Sequence, residues 1–264
     1  MKQIALTSFG LGHLSLTDVP ELRDPGPGEV RLRMRAASLN YRDLLMVLGH
    51  YNPKQPLPLV PASDGVGIVE AVGPDVTRVQ VGDRVSPTFG QGWTHGTATA
   101  DFRHITLGGP LDGTLREQML VRADSVVRIP DALTDAEAAA VPCAGVTAWN
   151  ALAEQGQLKA GETVLIQGTG GVALFALQIA KASGARVIIT SSSDEKLDRC
   201  RTLGADETIN YRSDPEWGST ARRLSEGGVD HVIELGGGDT LKQSIRAVRP
   251  GGIISMIGVL GGPT

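Results

Sequence analysis

The segment VLIQGTGGVALFALQIA, residues 164–180, constrains the fold of this chain more than any other. An apolar run rich in β-branched residues leads into three glycines within four positions, and a helical pattern follows at once. Gly168, Gly170 and Ala173 have the spacing G-x-G-x-x-A between a predicted strand and a predicted helix. In this setting the first glycine permits a tight turn, the second lets the backbone approach a pyrophosphate, and the small third residue permits close packing of helix on strand. We therefore predict that the phosphates of a dinucleotide bind at this helix start.

The sequence around this turn favours a dinucleotide-binding turn over a tight turn that binds no ligand. Predicted strands at 163–167, 186–191, 207–210, 229–235 and 252–257 alternate with helical patterns, and a second glycine-rich turn, ELGGG, follows a later strand. These strands are apolar on both faces, which is typical of a parallel sheet covered by helices.

The usual dinucleotide-binding sheet has about six strands. Since only five are found, we expect that the chain is truncated or incompletely recorded after Thr264.

The first 130 residues have a different pattern. In EVRLRMRAASL, the residues Val30, Leu32, Met34 and Ala36 share one face and arginines occupy the other, which predicts a half-buried antiparallel strand. Short strands and turn signals predict a β-rich sandwich or barrel. The pattern changes near Thr134, which forms a capping-box spacing with Glu137, and Pro142 is expected to break or kink the helix that follows.

Composition excludes several classes of protein. The chain has 25 basic and 29 acidic residues and no basic run, so we expect no nucleic-acid partner. Two cysteines give no disulfide framework and fit a reducing compartment. The N-terminus has no signal-peptide pattern, and no apolar run is long enough to span a membrane. We expect a cytoplasmic protein without a membrane partner.

The end of the second predicted strand indicates which dinucleotide binds. NAD-binding proteins usually place an acidic residue there for the ribose 2′-hydroxyl. This chain has Thr190, Ser191, Ser192 and Ser193, with Lys196 close behind. Hydroxyl groups and a lysine can bind the 2′-phosphate of NADP, which favours NADPH. Ser193 also fits a simple N-cap for the next helix, and both roles can hold together.

Several motifs occur in a fixed order along the chain: LNYRDLLMVLG, SDGVGIVEAVG, VGDRV, PCAGVTAWNAL, GTGGVALFALQIAKASGARVI, SSSDEKL, LGADETINY and GGIISMIG. In this ordered set the chain resembles the medium-chain dehydrogenase/reductase superfamily, on its zinc-independent quinone oxidoreductase-like branch, over essentially the whole length. The resemblance implies an α/β fold, with a GroES-like substrate domain at 1–130 and a Rossmann NAD(P)-binding domain with a doubly wound parallel sheet at 131–264. We expect the C-terminal end of the family fold to be missing from this sequence. A homodimer is implied if the chain continues beyond Thr264.

The chain departs from the zinc enzymes of this superfamily. They carry a cysteine ligand where this chain has Asn40, and their Gly-His-Glu motif is here Ala62-Ser63-Asp64. Asparagine and serine are poor zinc ligands. The stretch that corresponds to their structural-zinc lobe, 88–114, contains no cysteine. It does contain His95, Asp101 and His104, for which a polar surface loop is the simpler interpretation. We expect no catalytic zinc.

The resemblance also implies site residues. Asn40 is expected near the nicotinamide, and Tyr41 and Tyr51 are candidate hydrogen-bond donors or proton sources for a substrate carbonyl, although each also fits a half-buried aromatic residue. Cys143 is most simply a small buried apolar residue. The remaining cofactor contacts implied by the family are Thr147, Gly170, Gly171, Val172, Ser191, Ser192, Lys196, Tyr211, Leu235, Ile257, Gly258 and Val259.

These observations together predict an NADPH-dependent oxidoreductase. It would transfer a hydride to a quinone or an α,β-unsaturated carbonyl compound without catalytic zinc. Two alternatives stay open at this point: an alcohol dehydrogenase with another metal or none, and a non-catalytic NADPH-binding protein.

Overall fold

The computed structural model, which describes residues 1–98 and 100–260, places the chain in two compact units, Met1–Cys143 and Ala144–Thr264. Contacts group residues 131–143 with the first unit, whereas the sequence placed them with the second. The functional assignment of this segment stays a prediction. The expected truncation after Thr264 concerns residues outside the described part of the chain.

The first unit is built from antiparallel strands. Its elements are β1 (Lys2–Leu6), β2 (Leu14–Asp18), β3 (Glu29–Ser38), α1 (Tyr41–Val47), β4 (Asp64–Val72), β5 (Arg84–Pro87), β6 (Gln118–Arg122), β7 (Val126–Arg128) and α2 (Asp135–Ala139). Strands β1 and β2 form a two-stranded sheet, and the other five form a sheet of order β6-β3-β4-β5-β7.

The predicted alternation of buried and exposed residues along β3 is confirmed. Val30 and Leu32 are fully buried, and they pack in one cluster with apolar residues of β4, β5 and β6. Arg33 is exposed on the opposite face, where it pairs with Glu70 at 3.0 Å. Thr134 caps α2 as predicted, because its hydroxyl accepts the Glu137 N–H and the Glu137 carboxylate accepts the Thr134 N–H.

The segment that leads into β4 is held by a close backbone approach. Ala62 has a φ of 68°, an uncommon value for a residue with a Cβ. Gly113 donates its N–H to the Val60 carbonyl at 2.7 Å, and Thr114 donates its N–H to the Ala62 carbonyl at 2.9 Å. The Thr114 hydroxyl also donates to the Asp64 carbonyl at 2.7 Å. These bonds fix the backbone at residues 62–64.

The second unit alternates strand and helix. Its elements are α3 (Val146–Trp149), β8 (Thr163–Gln167), α4 (Gly171–Ala182), β9 (Arg186–Ser191), α5 (Asp194–Thr202), β10 (Glu207–Asn210), α6 (Trp217–Leu224), β11 (Val229–Glu234), α7 (Gly238–Ala247) and β12 (Val248–Met256). The five strands form a parallel sheet of order β10-β9-β8-β11-β12. The predicted bounds of β8, β9 and β10 are confirmed, whereas β12 begins four residues earlier than predicted, at Val248 instead of residue 252.

Burial on both faces explains the apolar character of these strands. Successive residues of β8, Leu165 and Ile166, are both fully buried but belong to different clusters. One cluster joins the sheet to α4 and α5, and the other joins it to α6 and α7. Each such side chain contributes about 1.5–3 kcal/mol by leaving water. The sheet is therefore fixed from both sides, and so are the ends of its strands.

The helices are short, and α4 has 12 residues. Within residues 1–98 and 100–260, we find no helix with the length and apolar character that crossing a membrane requires.

We expect the substitution Gly113→Ala to destabilise the first unit. A Cβ at this position would lie 1.8 Å from the Ala62 carbonyl oxygen, so the backbone would have to move. Overpacking of this kind costs about 1–3 kcal/mol. The control is Gly12→Ala, where a Cβ would meet nothing within 4 Å, and where we expect a change of about 0.5 kcal/mol or less. Urea unfolding of both variants measures the difference, and equal stabilities would contradict the role given to Gly113.

Candidate active site

The glycine turn between β8 and α4 leaves room for a ligand. Gly168 has a φ of 73°, in the region that favours glycine. A Cβ on Gly170 would meet nothing within 4 Å. Helix α4 starts after Gly170 without a side-chain cap, and Ala173 is fully buried against the sheet. The first amides of α4 are thus available to an anion, with the positive end of the helix dipole behind them.

The residues predicted for the adenosine end lie together at the carboxyl ends of β9 and β10. Ser191 is the last residue of β9, and its carbonyl accepts the N–H of Tyr211 at 3.1 Å. Ser193 caps α5 by accepting the Lys196 N–H at 3.4 Å, so the N-cap interpretation is confirmed. Ser192 is half-buried, and the side chains of Lys196 and Tyr211 are exposed. Three serine hydroxyl groups therefore lie at the end of β9, where Ser191 is buried and its Oγ accepts the Ser193 N–H at 3.3 Å.

The residues predicted for the nicotinamide side lie at the carboxyl ends of β11 and β12. Ile257 and Gly258 donate their N–H groups to the Glu234 carbonyl at 2.9 and 3.2 Å. A Cβ on Gly258 would lie 2.2 Å from the Leu235 carbonyl oxygen, so glycine is required for this approach. Val259 follows and is exposed.

The remaining predicted cofactor residues lie around the start of α4. Gly171 and Val172 are its first two residues. Thr147 is half-buried on α3, which packs against α4. The second unit therefore brings its predicted cofactor residues to one edge of the parallel sheet and the helix starts beside it.

In the first unit, Asn40 caps α1 next to two buried carboxyl groups. Its backbone N–H donates to Asp43 Oδ2 at 2.8 Å. Asp43 is 5% exposed and Asp64 is fully buried. Asp64 Oδ1 accepts the Ser63 hydroxyl at 2.8 Å, and Oδ2 accepts the Cys143 N–H at 2.9 Å. The side-chain amide of Asn40 lies close to Asp64, but its Nδ2 forms no well-aligned hydrogen bond to the described residues.

Burial governs the ionisation of this pair. It raises the pKa of Asp64, and the nearby Ser63 hydroxyl, Asn40 side-chain amide and Cys143 N–H oppose this rise in part. Burial also raises the pKa of Asp43, against the Asn40 N–H and the nearby Arg42 charge. The two carboxyl groups repel one another when both are ionised.

Tyr51 is oriented by a guanidinium group. Arg42 lies between two rings, 4.9 Å from the centroid of Tyr51 and 4.8 Å from that of Phe89. Arg42 also donates to the carbonyls of Leu107 at 3.0 Å and Gly109 at 2.6 Å. A guanidinium over an aromatic face stabilises the ring position by cation–π attraction.

Tyr41 and Tyr51 are both open to solvent. Tyr41 is 48% exposed at the start of α1, and Tyr51 is 54% exposed. Both rings are therefore about half exposed, and the assignment of their phenol groups as donors or proton sources stays a prediction.

Asn40 and Ser63, which the resemblance aligns with zinc ligands, are residue types that bind zinc poorly. Both oxygens of Asp64 already accept hydrogen bonds, from Ser63 and Cys143. His95 lies beside the Thr94 hydroxyl at 3.1 Å. In the described part of the chain, no group of three or more His, Cys, Asp or Glu side chains is placed to hold a metal. That catalysis proceeds without zinc stays a prediction.

Two buried residues at the carboxyl edge of the parallel sheet were not predicted from the sequence. Gln167 and Glu234 end the neighbouring strands β8 and β11, and their side chains are hydrogen-bonded to each other at 2.6 Å. The available signal was a polar residue at the end of each apolar run, directly before a glycine-rich turn.

Known protein families and curated proteins match both units of the chain. The family profile described as the alcohol dehydrogenase GroES-like domain matches residues 26–131, and the profile described as zinc-binding dehydrogenase matches residues 171–264. A zinc-type alcohol dehydrogenase-like protein of Schizosaccharomyces pombe is 48% identical over 235 residues, which are 88% of this chain and 68% of that protein. A quinone oxidoreductase of Pseudomonas aeruginosa is 39% identical over 256 residues, which are 93% of this chain and 71% of that protein.

Solved structures show the same fold. A crystal structure of an NAD-dependent alcohol dehydrogenase is 35% identical and superposes with a TM-score of 0.90, covering 98% of this chain and 78% of that chain. A mycobacterial protein solved in complex with NADPH is 31% identical, with a TM-score of 0.81, covering 100% of this chain and 76% of that chain.

Fold, site and relatives define an oxidoreductase with a GroES-like unit and a dinucleotide-binding unit. The chain belongs to the medium-chain dehydrogenase/reductase superfamily.

We expect the substitution Asp64→Asn to change how stability depends on pH. Because the folded protein raises the pKa of Asp64 above its ordinary value of about 3.9, protonated Asp64 favours folding, and this contribution is lost as the pH rises through the folded pKa. The stability of D64N relative to the wild type should therefore increase as the pH rises above about 4.

Urea unfolding at several pH values measures this trend, and Asp83→Asn provides the contrast. The Gln80 N–H and the Arg128 guanidinium lower the pKa of Asp83, so D83N should lose stability relative to the wild type as the pH rises. Parallel pH profiles for D64N and the wild type would contradict the raised pKa of Asp64.

Proposed function

We propose that this protein is an NADPH-dependent oxidoreductase that transfers a hydride to a quinone or an α,β-unsaturated carbonyl compound without catalytic zinc. The observation that carries the proposal is the bend at Gly168, which opens onto the uncapped start of α4. This arrangement suits a pyrophosphate, because free amides and the helix dipole stabilise negative charge there. The superfamily membership supports the same reading.

The choice of NADPH over NADH rests on the end of β9. The solved relatives include both an NAD-dependent enzyme and a protein in complex with NADPH, so local residues decide. Ser191 and Ser192 offer hydroxyl groups where NAD-binding proteins usually have a carboxylate. Lys196, on the first turn of α5, adds a positive charge suited to a phosphate.

The hydride comes from C4 of the nicotinamide when NADPH is bound. As the β-carbon of an enone accepts it, an electron pair moves onto the carbonyl oxygen, and hydrogen-bond donors must stabilise this charge. We assign this role to the Asn40 amide, whose Nδ2 has no well-aligned partner among the described residues. Tyr41 and Tyr51 are the candidate phenols for donating to the oxygen or supplying the proton.

The runner-up is an alcohol dehydrogenase, which the names of relatives support. The presence of Asn40 and Ser63 at the positions of zinc ligands favours the interpretation without zinc. Zinc bound in stoichiometric amount and required for activity would favour the runner-up. The cytoplasmic location and the homodimer stay predictions.

We expect the purified protein to oxidise NADPH in the presence of a quinone or an enone, measured by absorbance over a panel of both. Asn40→Ala should lower kcat/KM by about 100-fold, the typical loss of one donor to a developing oxyanion. Tyr51→Phe should lower it by about 100-fold, the lower end of the range of general acid contributions. Gln178→Ala, which removes an exposed amide on α4, is the control and should act like the wild type.

Three outcomes are informative against the proposal. No oxidation with any acceptor at saturating NADPH would contradict the enzymatic reading. Full activity in both N40A and Y51F would show that the donors are wrongly assigned. Bound NADPH without turnover would favour a non-catalytic binding protein.

We expect Ser192→Asp to shift the cofactor preference towards NADH. The new carboxylate would repel the 2′-phosphate and accept a hydrogen bond from the ribose of NADH. Like-charge contacts cost several kcal/mol, so the ratio of affinities for NADPH and NADH should fall by about 100-fold. Calorimetric titration of both nucleotides measures the ratio. Ser15→Asp, on exposed β2, controls for added charge, and an unchanged ratio in S192D would place the 2′-phosphate elsewhere.

A further inference from the structure

A fully buried carboxylate lies directly below the glycine-rich turn after β11. Glu234 has no exposed surface. Its Oε1 accepts the N–H groups of Gly236 and Gly237 at 2.9 and 3.0 Å and the Thr240 hydroxyl at 2.6 Å. This single oxygen therefore fixes the turn and the start of α7 that follows it.

The other oxygen connects this turn to the neighbouring strand. Glu234 Oε2 accepts the Gln167 side-chain amide at 2.6 Å and also the Ser244 hydroxyl. The Gln167 carbonyl oxygen, Oε1, in turn accepts the N–H groups of Leu235 and Gly236 at 3.2 and 3.0 Å. Both side chains thus hold the backbone at 235–237.

Every one of these partners of Glu234 is a neutral donor. A buried charge without a cation is costly unless hydrogen bonds satisfy it. Donors supplied by backbone N–H groups cannot turn round to accept, so the site demands acceptors from Glu234. A fully satisfied buried network of this kind makes the local structure rigid and specific.

The network joins the two glycine turns of the second unit. Gln167 directly precedes Gly168, and Glu234 directly precedes Leu235. Their strands are adjacent and parallel, with Ile166 paired to Ile233. The network therefore connects the residue directly before the Gly168 turn to the backbone of the turn after β11.

We propose that Glu234 and Gln167 are positioning residues that hold the turns at Gly168 and Leu235 in one arrangement and so determine the affinity for NADPH. This inference rests on the proposed cofactor. Neither side chain needs to touch the nucleotide, since their hydrogen bonds act on the backbone of residues 235–237.

The donor and acceptor pattern provides a sharp test. In Glu234→Gln the new NH2 group must face either the Gly236 and Gly237 N–H groups or the Gln167 amide, and both choices oppose donor to donor. In Gln167→Glu two carboxylates face each other. The double variant Q167E/E234Q restores the pattern, because the amide now at position 234 donates to the carboxylate now at position 167, which reverses the native direction of this one bond.

The experiment measures binding of NADPH and of adenosine 2′-monophosphate to the purified chain by calorimetry, with melting temperatures alongside. The second ligand has the adenosine and the 2′-phosphate but no pyrophosphate, so it reports on the pocket around Ser191 and Lys196. We expect each single variant to weaken NADPH binding by about tenfold or more, the scale of an unsatisfied buried donor. Binding of adenosine 2′-monophosphate should change by about twofold or less, and the double variant should recover most of the NADPH affinity. In turnover, the KM for NADPH should rise more than kcat falls.

Three other outcomes overturn the inference. NADPH binding by E234Q at wild-type strength would show that the network does not set affinity. An equal loss for both ligands would reveal a general structural role. If the wild type binds neither ligand, the proposed function fails, and the inference fails with it.

A second variant is used if wild-type binding is normal but the single variants do not fold. Thr240→Val removes one donor to Glu234, and it should weaken the binding of NADPH by about threefold without weakening that of the second ligand. Unchanged NADPH binding in T240V would then contradict the proposal.

Discussion

The burial of the parallel sheet on both faces is the constraint on which the second unit depends. Central strand β8 has apolar neighbours above and below, and its register with β9 and β11 is fixed by hydrogen bonds on both sides. A strand held in this way cannot slip without exposing its side chains to water. Its carboxyl end, and those of its neighbours, are therefore fixed points from which turns can present amides and hydroxyl groups.

The two units bury carboxyl groups in different ways. Asp64 accepts hydrogen bonds on both oxygens, yet burial dominates and raises its pKa. Glu234 receives five neutral donors and belongs to a network that includes the sheet, a turn and a helix. In the first arrangement, hydrogen bonds offset the cost of burial only in part. In the second, the side chain of Glu234 fixes the geometry of the backbone.

Local patterns predicted much of this molecule. The apolar runs bounded by glycine gave the limits of β8 and β9, and Thr134 with Glu137 predicted the start of α2. Helix α1 was not predicted, although Asn40 and Asp43 have the spacing of a helix start. The pairing of Glu234 with Gln167, 67 residues apart, could not be predicted, since long-range side-chain contacts leave no periodic signal. The burial of Asp64 against the Cys143 amide escaped prediction for the same reason.

The position of Arg42 beside the rings of Tyr51 and Phe89 has a consequence for how the first unit holds its loops. The same guanidinium donates to the carbonyls of Leu107 and Gly109. One side chain of α1 therefore connects two aromatic rings to a stretch of backbone far away in the sequence. Lysine could not take its place, because an ammonium group lacks the planar fork and the stacking surface that these partners use together.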